Sequence, residues 1–164
     1  VLNISRIVME EGLGTAEIVG TVTAMFTVGG MAAGLILDML YRKMGKRLFP
    51  AGHILMAASL GFGVFVQNIP SLMMVCFMTG MGVFTIWPAS VNEFGNICKP
   101  NQVAAASGIF VAALNIGAFL SSAYCGIVEM FFGNNPRISV LTSALGMTVI
   151  AICWILGTIK TGKK

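Results

Sequence analysis

Charge is what this sequence has least of. Only 10% of its 164 residues are Asp, Glu, Lys or Arg, against about 25% in a soluble domain. A soluble domain of this size leaves about 30% of its unfolded-chain surface wet, and so few charges cannot cover it. That excludes an ordinary soluble enzyme, a nucleic-acid binder and a disordered chain. Histidine occurs once, at His53, and the four cysteines, Cys76, Cys98, Cys125 and Cys153, form no C-x-x-C pair. The cysteines read as small apolar residues, not as ligands or disulfide partners. No H-E-x-x-H, no paired catalytic carboxylates and no G-x-x-x-x-G-K-[ST] occur, so nothing points to metal-assisted or ATP hydrolysis. His53 and Ser59 share one predicted helix but lie six residues apart, on different faces. No catalytic residue, metal site or cofactor is expected.

What is abundant is apolar. Hydrophobic residues make up 57% of the chain, and mean hydropathy is +0.90. With the 20 glycines the apolar share is about 69%, against about 45–50% in soluble domains. Five stretches are long enough for a spanning helix of about 20 residues: about 18–40, 48–66, 71–91, 103–128 and 138–159. Barrel-type alternation is absent, and closed helices satisfy their own backbone groups in lipid. The pattern predicts an all-α integral membrane protein, a five-span helical bundle. The breaks are short: a basic loop at 41–47, a turn at 67–70 with Pro70 suited to a first helical turn, a loop at 96–101 and a turn cluster at 133–137. Sequential spans should therefore be antiparallel neighbours.

The cations are unevenly placed. Arg42, Lys43, Lys46, Arg47, Lys99, Lys160, Lys163 and Lys164 fall on one side of this topology, and Arg6 and Arg137 on the other. The positive-inside rule makes the richer side cytoplasmic. Asp38 and Glu93 share that side, while Glu10, Glu11, Glu17 and Glu129 lie outside, Glu129 most simply solvated. The basic pI is then a topology signal, and nucleic acid is not an expected partner; the lipid bilayer is. Residues 1–9 lack the basic and apolar regions of a signal peptide. The expectation is that they end a preceding helix, with its first residue outside, and that the chain is the C-terminal part of a longer membrane protein.

The strongest local pattern runs Gly34-Leu35-Ile36-Leu37-Asp38, then Arg42-Lys43, then Gly45-Lys46-Arg47. Gly34 would let a neighbouring helix approach closely. Asp38 would accept hydrogen bonds from the positive end of another helix, and the cations would pair with acids of other loops. The bland alternative is a plain positive-inside loop.

In this pattern the sequence resembles the major facilitator superfamily. The family's signature loop reads G-x-x-x-D followed by R/K and G-R/K-R/K, between the second and third helices and, loosened, between the eighth and ninth. The loosened spacing after Asp38 resembles the second copy. The resemblance implies helices eight to twelve of a twelve-helix fold, with 1–16 as the outer end of the seventh helix and its link. It also implies a partner in the missing N-terminal half and a small-molecule solute as ligand. In the family the eighth, tenth and eleventh helices line the central cavity, and the ninth and twelfth are peripheral.

The residues agree with that contrast. Gly20, Thr23, Thr27, Gly30 and Gly34 form a small, weakly polar stripe on the first span. Gly108, Ala112, Asn115, Phe119, Ser122 and Gly126 form another on the fourth. Such faces permit close helix packing, and packing alone is one reading of them. Asn115, mid-span, needs either an interhelical partner or a water-filled cavity. In the third span Pro88 cannot donate to the carbonyl of Phe84, so the helix should loosen there. Trp87 beside it either faces substrate or is an interfacial anchor or packing residue. Glu93 is expected to pair with Arg42, Lys43 or Arg47 and latch the cytoplasmic side, the alternative being a solvated glutamate. For His53 a structural role is preferred over proton coupling. The twelve methionines suit either an adaptable pocket or ordinary filling.

The expected function is secondary active transport of a small solute by alternating access, in the plasma membrane. The candidate gating set is Gly34, Asp38, Arg42, Lys43, Gly45, Lys46, Arg47 and Glu93, and the candidate cavity residues are Thr23, Thr27, Trp87 and Asn115. The alternatives are a small non-transporting membrane scaffold and, behind it, an intramembrane enzyme.

Overall fold

The computed structural model describes residues 2–133 and 135–161, and side chains from 3 to 157 within them. Lys163, Lys164, Asn134 and Val1 lie outside the described residues, as does the side chain of Lys160. Among the described residues six α-helices follow one another: α1 (Leu2–Glu10), α2 (Ala16–Met44), α3 (Leu48–Gly63), α4 (Ile69–Ile97), α5 (Val103–Phe132) and α6 (Pro136–Thr161). No strand occurs among the described residues.

Helices α2, α4 and α5 have 29, 29 and 30 residues. At 1.5 Å per residue each is roughly 45 Å long, enough to cross a bilayer core of about 30 Å and emerge on both sides. They extend beyond the apolar stretches because polar flanks keep helical geometry outside lipid. Helix α3 is shorter than its apolar stretch: after Gly63 the chain tightens into turns, with Val64 N–H on the Gly61 carbonyl and Phe65 N–H on that of Phe62. At the start of α4 the Asn68 side chain caps the Ser71 amide at 2.9 Å, and Pro70 sits in the first turn.

Between α2 and α3 only a 3-10 turn, Gly45–Arg47, interrupts the helical backbone. Length and apolarity alone would therefore merge residues 16–63 into one stretch of 48 residues. Packing shows that the chain reverses there. Along α2, the sequence Phe26, Gly30, Tyr41 meets Gly80, Phe84 and Glu93 of α4 in the same order. Along α3, Gly52, Ser59 and Gly63 meet Ile86, Thr79 and Val75 in the opposite order. So α2 and α4 run parallel, and α3 runs antiparallel to both. Gly45 makes the reversal possible: its φ of +53° is in the region an L side chain rarely adopts. Helix α6 is antiparallel to α3, with Trp154 stacked on Phe49 at 4.9 Å at one end and Arg137 on the Val64 carbonyl at the other. The spans therefore number five.

The tightest contact joins two non-sequential helices. A Cβ built at Gly29 would strike the backbone carbonyl of Phe77, and one at Gly80 the carbonyl of Phe26. Both helices carry Phe-x-x-Gly, and each glycine receives the other's phenylalanine backbone. Gly30 meets the ring of Phe84, which packs edge-on against Phe26 at 5.7 Å. Small residues thus bring these helices into backbone contact. Gly34, expected to do this, does not: it is exposed and a Cβ there would meet nothing. It lies on the open face of α2 with Gly20 and Thr27, while Ala33 beside it is buried.

The main core lies under α1. Ile4, Ile7 and Val8 are buried with Val22, Leu72, Val75, Cys76 and Val140. A smaller cluster at the basic end joins Leu48, Phe49 and Ala89. Helix α5 is the exception. Only Cys125 and Val128 are buried in it, and Gly108, Ala112, Asn115, Phe119, Ser122 and Gly126 are all exposed. The small-residue stripe of α5 packs against nothing in the described chain.

Candidate functional site

At the basic end, the parallel course of α2 and α4 brings Tyr41 level with Glu93. The Tyr41 hydroxyl donates to Glu93 Oε2 at 2.8 Å, and Lys46 Nζ lies 3.0 Å from Oε1. Asn96 Nδ2 donates to both Tyr41 and Glu93 at 3.3 Å. Glu93 keeps 15% side-chain exposure, against 67% for Lys46. The expected partners of Glu93 were Arg42, Lys43 or Arg47. The partner is Lys46, because the turn at Gly45 swings it toward α4 while α2 holds Arg42 and Lys43 on the far side. Nor is Glu93 simply solvated, since both of its oxygens are engaged.

Asp38 and Arg42 instead pair with each other at 3.0 Å, one helical turn apart, and both are largely exposed. Such a pair adds little stability. Lys43 and Arg47 are exposed as well. Within the described chain, Asp38 faces no helix end. It continues an open stripe of α2 that includes Gly20, Thr27 and Gly34.

The opposite end is also ion-paired. Arg6 bridges Glu10 of its own helix and Glu129 of α5, both of which hold its guanidinium above its ordinary pKa, Glu129 first. Glu129 is therefore a partner, not a solvated rim residue. Arg137 grips Glu11 through Nε and Nη2 at 2.6 and 2.5 Å and donates to the Val64 carbonyl at 2.5 Å. This fork, in which Arg137 donates and Glu11 accepts, ties α6 to the α1–α2 link and to the end of α3.

The candidate cavity residues divide. Thr23 is half-buried and returns its hydroxyl to the Val19 carbonyl at 2.8 Å. Thr27 is exposed on the open stripe of α2. Asn115 is exposed, with its Nδ2 on the Val111 carbonyl of its own helix at 3.0 Å, so no interhelical partner holds it. Trp87 is 38% exposed, stacks on Phe84 at 6.1 Å and lines a cavity of about 200 Å³ with His53. His53 sits on a span expected to be peripheral, yet its neighbour is a candidate cavity residue. The two are far apart in sequence, and only the α3–α4 packing joins them. Between α3 and α4 a buried hydroxyl pair, Ser59 and Thr79 at 2.9 Å, was also not foreseen. The four cysteines are free thiols.

Apolar helices with charge near their ends, in four stretches long and apolar enough to cross a membrane among the described residues, mark an integral membrane protein, held together by small-residue packing and end-cap ion pairs. A model of the Major Facilitator Superfamily matches residues 2–164. The chain belongs to that family, whose members transport small solutes across membranes and are not enzymes. No curated protein and no solved structure gives a significant match.

Proposed function

We propose that the chain serves secondary active transport of a small solute by alternating access, as the eighth to twelfth helices of a transporter whose N-terminal half completes the cavity. Asn115 is the observation that carries this. Lipid offers an amide no hydrogen-bond partner, yet Asn115 sits mid-helix, exposed, bonded only to its own backbone. An aqueous cavity satisfies it. Thr27 on the open face of α2 belongs to the same lining, with Trp87 at its edge and Thr23 behind it.

The basic end is the cytoplasmic rim of the plasma membrane by the positive-inside rule. There Gly34, Asp38, Arg42, Lys43, Gly45, Lys46, Arg47 and Glu93 form the gating set. The Lys46–Glu93–Tyr41 cluster closes the cytoplasmic side by fastening the α2–α3 turn to α4. Asp38 and Arg42, exposed here, serve contacts with the other half.

Thiol labelling tests this without knowing the solute. In a variant with the native cysteines replaced, Asn115→Cys should react with a membrane-impermeant maleimide added outside intact cells. Adding Glu93→Gln loosens the cytoplasmic latch, so labelling from outside should fall and labelling in inverted vesicles should rise. A cysteine at 115 that never labels from either side would place Asn115 against lipid or protein and remove the cavity reading.

A further inference from the structure

We propose that the cavity between His53 and Trp87 is a binding site for a small neutral phenol, one aromatic ring bearing one hydroxyl. The inference concerns binding and does not depend on the transport reading above.

The cavity measures about 200 Å³ and is lined by His53, Met56, Trp87, Phe110, Leu114 and Met147, among others, from four helices. Its size sets the ligand. An apolar cavity of about 150 Å³ is enough to hold benzene, so a single ring with a substituent fits this one, which is open on one side. The walls suit a ring: Trp87 and Phe110 offer aromatic faces, and Met56 and Met147 offer thioethers that pack well against ring edges.

His53 and Trp87 bear the only side-chain nitrogen or oxygen atoms of the lining. His53 Nδ1 lies 2.8 Å from the Phe49 carbonyl one turn back. A carbonyl only accepts, so Nδ1 carries the proton, and in the neutral ring Nε2 is left as an acceptor. No described residue bonds Nε2. Nε2 is not fully buried and stays reachable from the cavity, and a phenolic hydroxyl is a donor that pairs with it. The Trp87 indole N–H can then donate to the phenol oxygen. A water could bond the same two groups but would leave the aromatic and thioether walls without packing contacts, which a ring supplies. No Asp, Glu, Lys or Arg lines the cavity, so a carboxylate or an ammonium ion would enter uncompensated.

The test uses the purified chain in lipid nanodiscs, with empty nanodiscs correcting for partition, and follows the fluorine resonance of para-fluorophenol and para-fluorotoluene. The two differ by the hydroxyl alone. Para-fluorophenol should bind saturably and about five- to tenfold more tightly, the value of one hydrogen bond in an apolar site. His53→Phe keeps an aromatic ring without the acceptor and should bring the two affinities together. His53→Gln restores an acceptor and should restore the preference. Val83→Phe narrows the cavity, which Val83 also lines, and should abolish binding of both. Equal affinities in the unaltered chain, or a preference that survives His53→Phe, would overturn the proposal. Folding of each variant is confirmed by Cys76, a buried thiol, staying masked to maleimide; should Val83→Phe fail that check, the two His53 variants decide the matter.

Discussion

Replacing Gly80 with alanine should loosen the contact that holds the parallel helices α2 and α4 together. The added Cβ would fall well inside the 3.0 Å that real Cβ atoms respect, against the backbone oxygen of Phe26. A backbone oxygen cannot swing aside as a side chain can, so the helices must separate. The reciprocal contact, Gly29 on the Phe77 carbonyl, would open with it. Overpacking of this kind costs about 1–3 kcal/mol, and alanine returns roughly 0.5–1 kcal/mol of helix preference over glycine. The net loss is about 1–2 kcal/mol, or a melting temperature lower by about 2–8 °C for a chain of this size. Cys76 and Cys125 are buried, whereas Cys98 and Cys153 are partly or fully accessible. With the latter two replaced by serine, a thiol-reactive dye reports unfolding of the purified chain as the buried pair becomes reactive. Gly34→Ala is the control, since its Cβ meets nothing, and it should melt no lower than the parent. If Gly80→Ala melts no lower than Gly34→Ala, the backbone contact between α2 and α4 is not what holds this crossing.

The two remaining predictions concern polar contacts. Arg137→Gln should cost about 1.5–3 kcal/mol, because hydrogen bonds from a charged donor to Glu11 and the Val64 carbonyl are lost; in a double-mutant cycle with Glu11→Gln, purely additive melting shifts would refute the pairing. Thr79→Val removes the hydroxyl that meets Ser59 between α3 and α4; the loss should be smaller, about 0.6 kcal/mol and at most about 1.7, and a loss equal to that of Gly80→Ala would contradict this ranking.

Much of the bundle was legible from composition because the bilayer imposes it. Apolar runs and short polar breaks read as a helical membrane bundle, and the described chain is helical throughout its long elements. The ends were less legible. Helix α4 runs past Val91 to Ile97, since nothing in Asn92 or Glu93 stops a helix once it leaves the lipid. The site was legible only in its parts. Glu93 was marked as a latch residue and Lys46 as one of the cations, but the bond between them was not. Glu129 was read as solvated because its partner, Arg6, is 123 positions away. His53 was set apart from Trp87 because sequence distance does not say which helices touch.

The sequence by itself determined that this chain is a helical membrane bundle and which end of it is richer in positive charge. Those properties follow from transfer of each segment between water and lipid, which depends on local composition alone. Only the tertiary structure decided that α2 packs in parallel on α4 and not on its sequence neighbour α3. At that contact two Phe-x-x-Gly segments fit each other's backbone. The parallel course of α2 and α4 puts Tyr41 and Lys46 on Glu93, and the packing of α3 on α4 brings His53 and Trp87 to one cavity. Lipid is indifferent to which apolar helices meet, so shape at a few small residues makes that decision, and shape is not visible in composition.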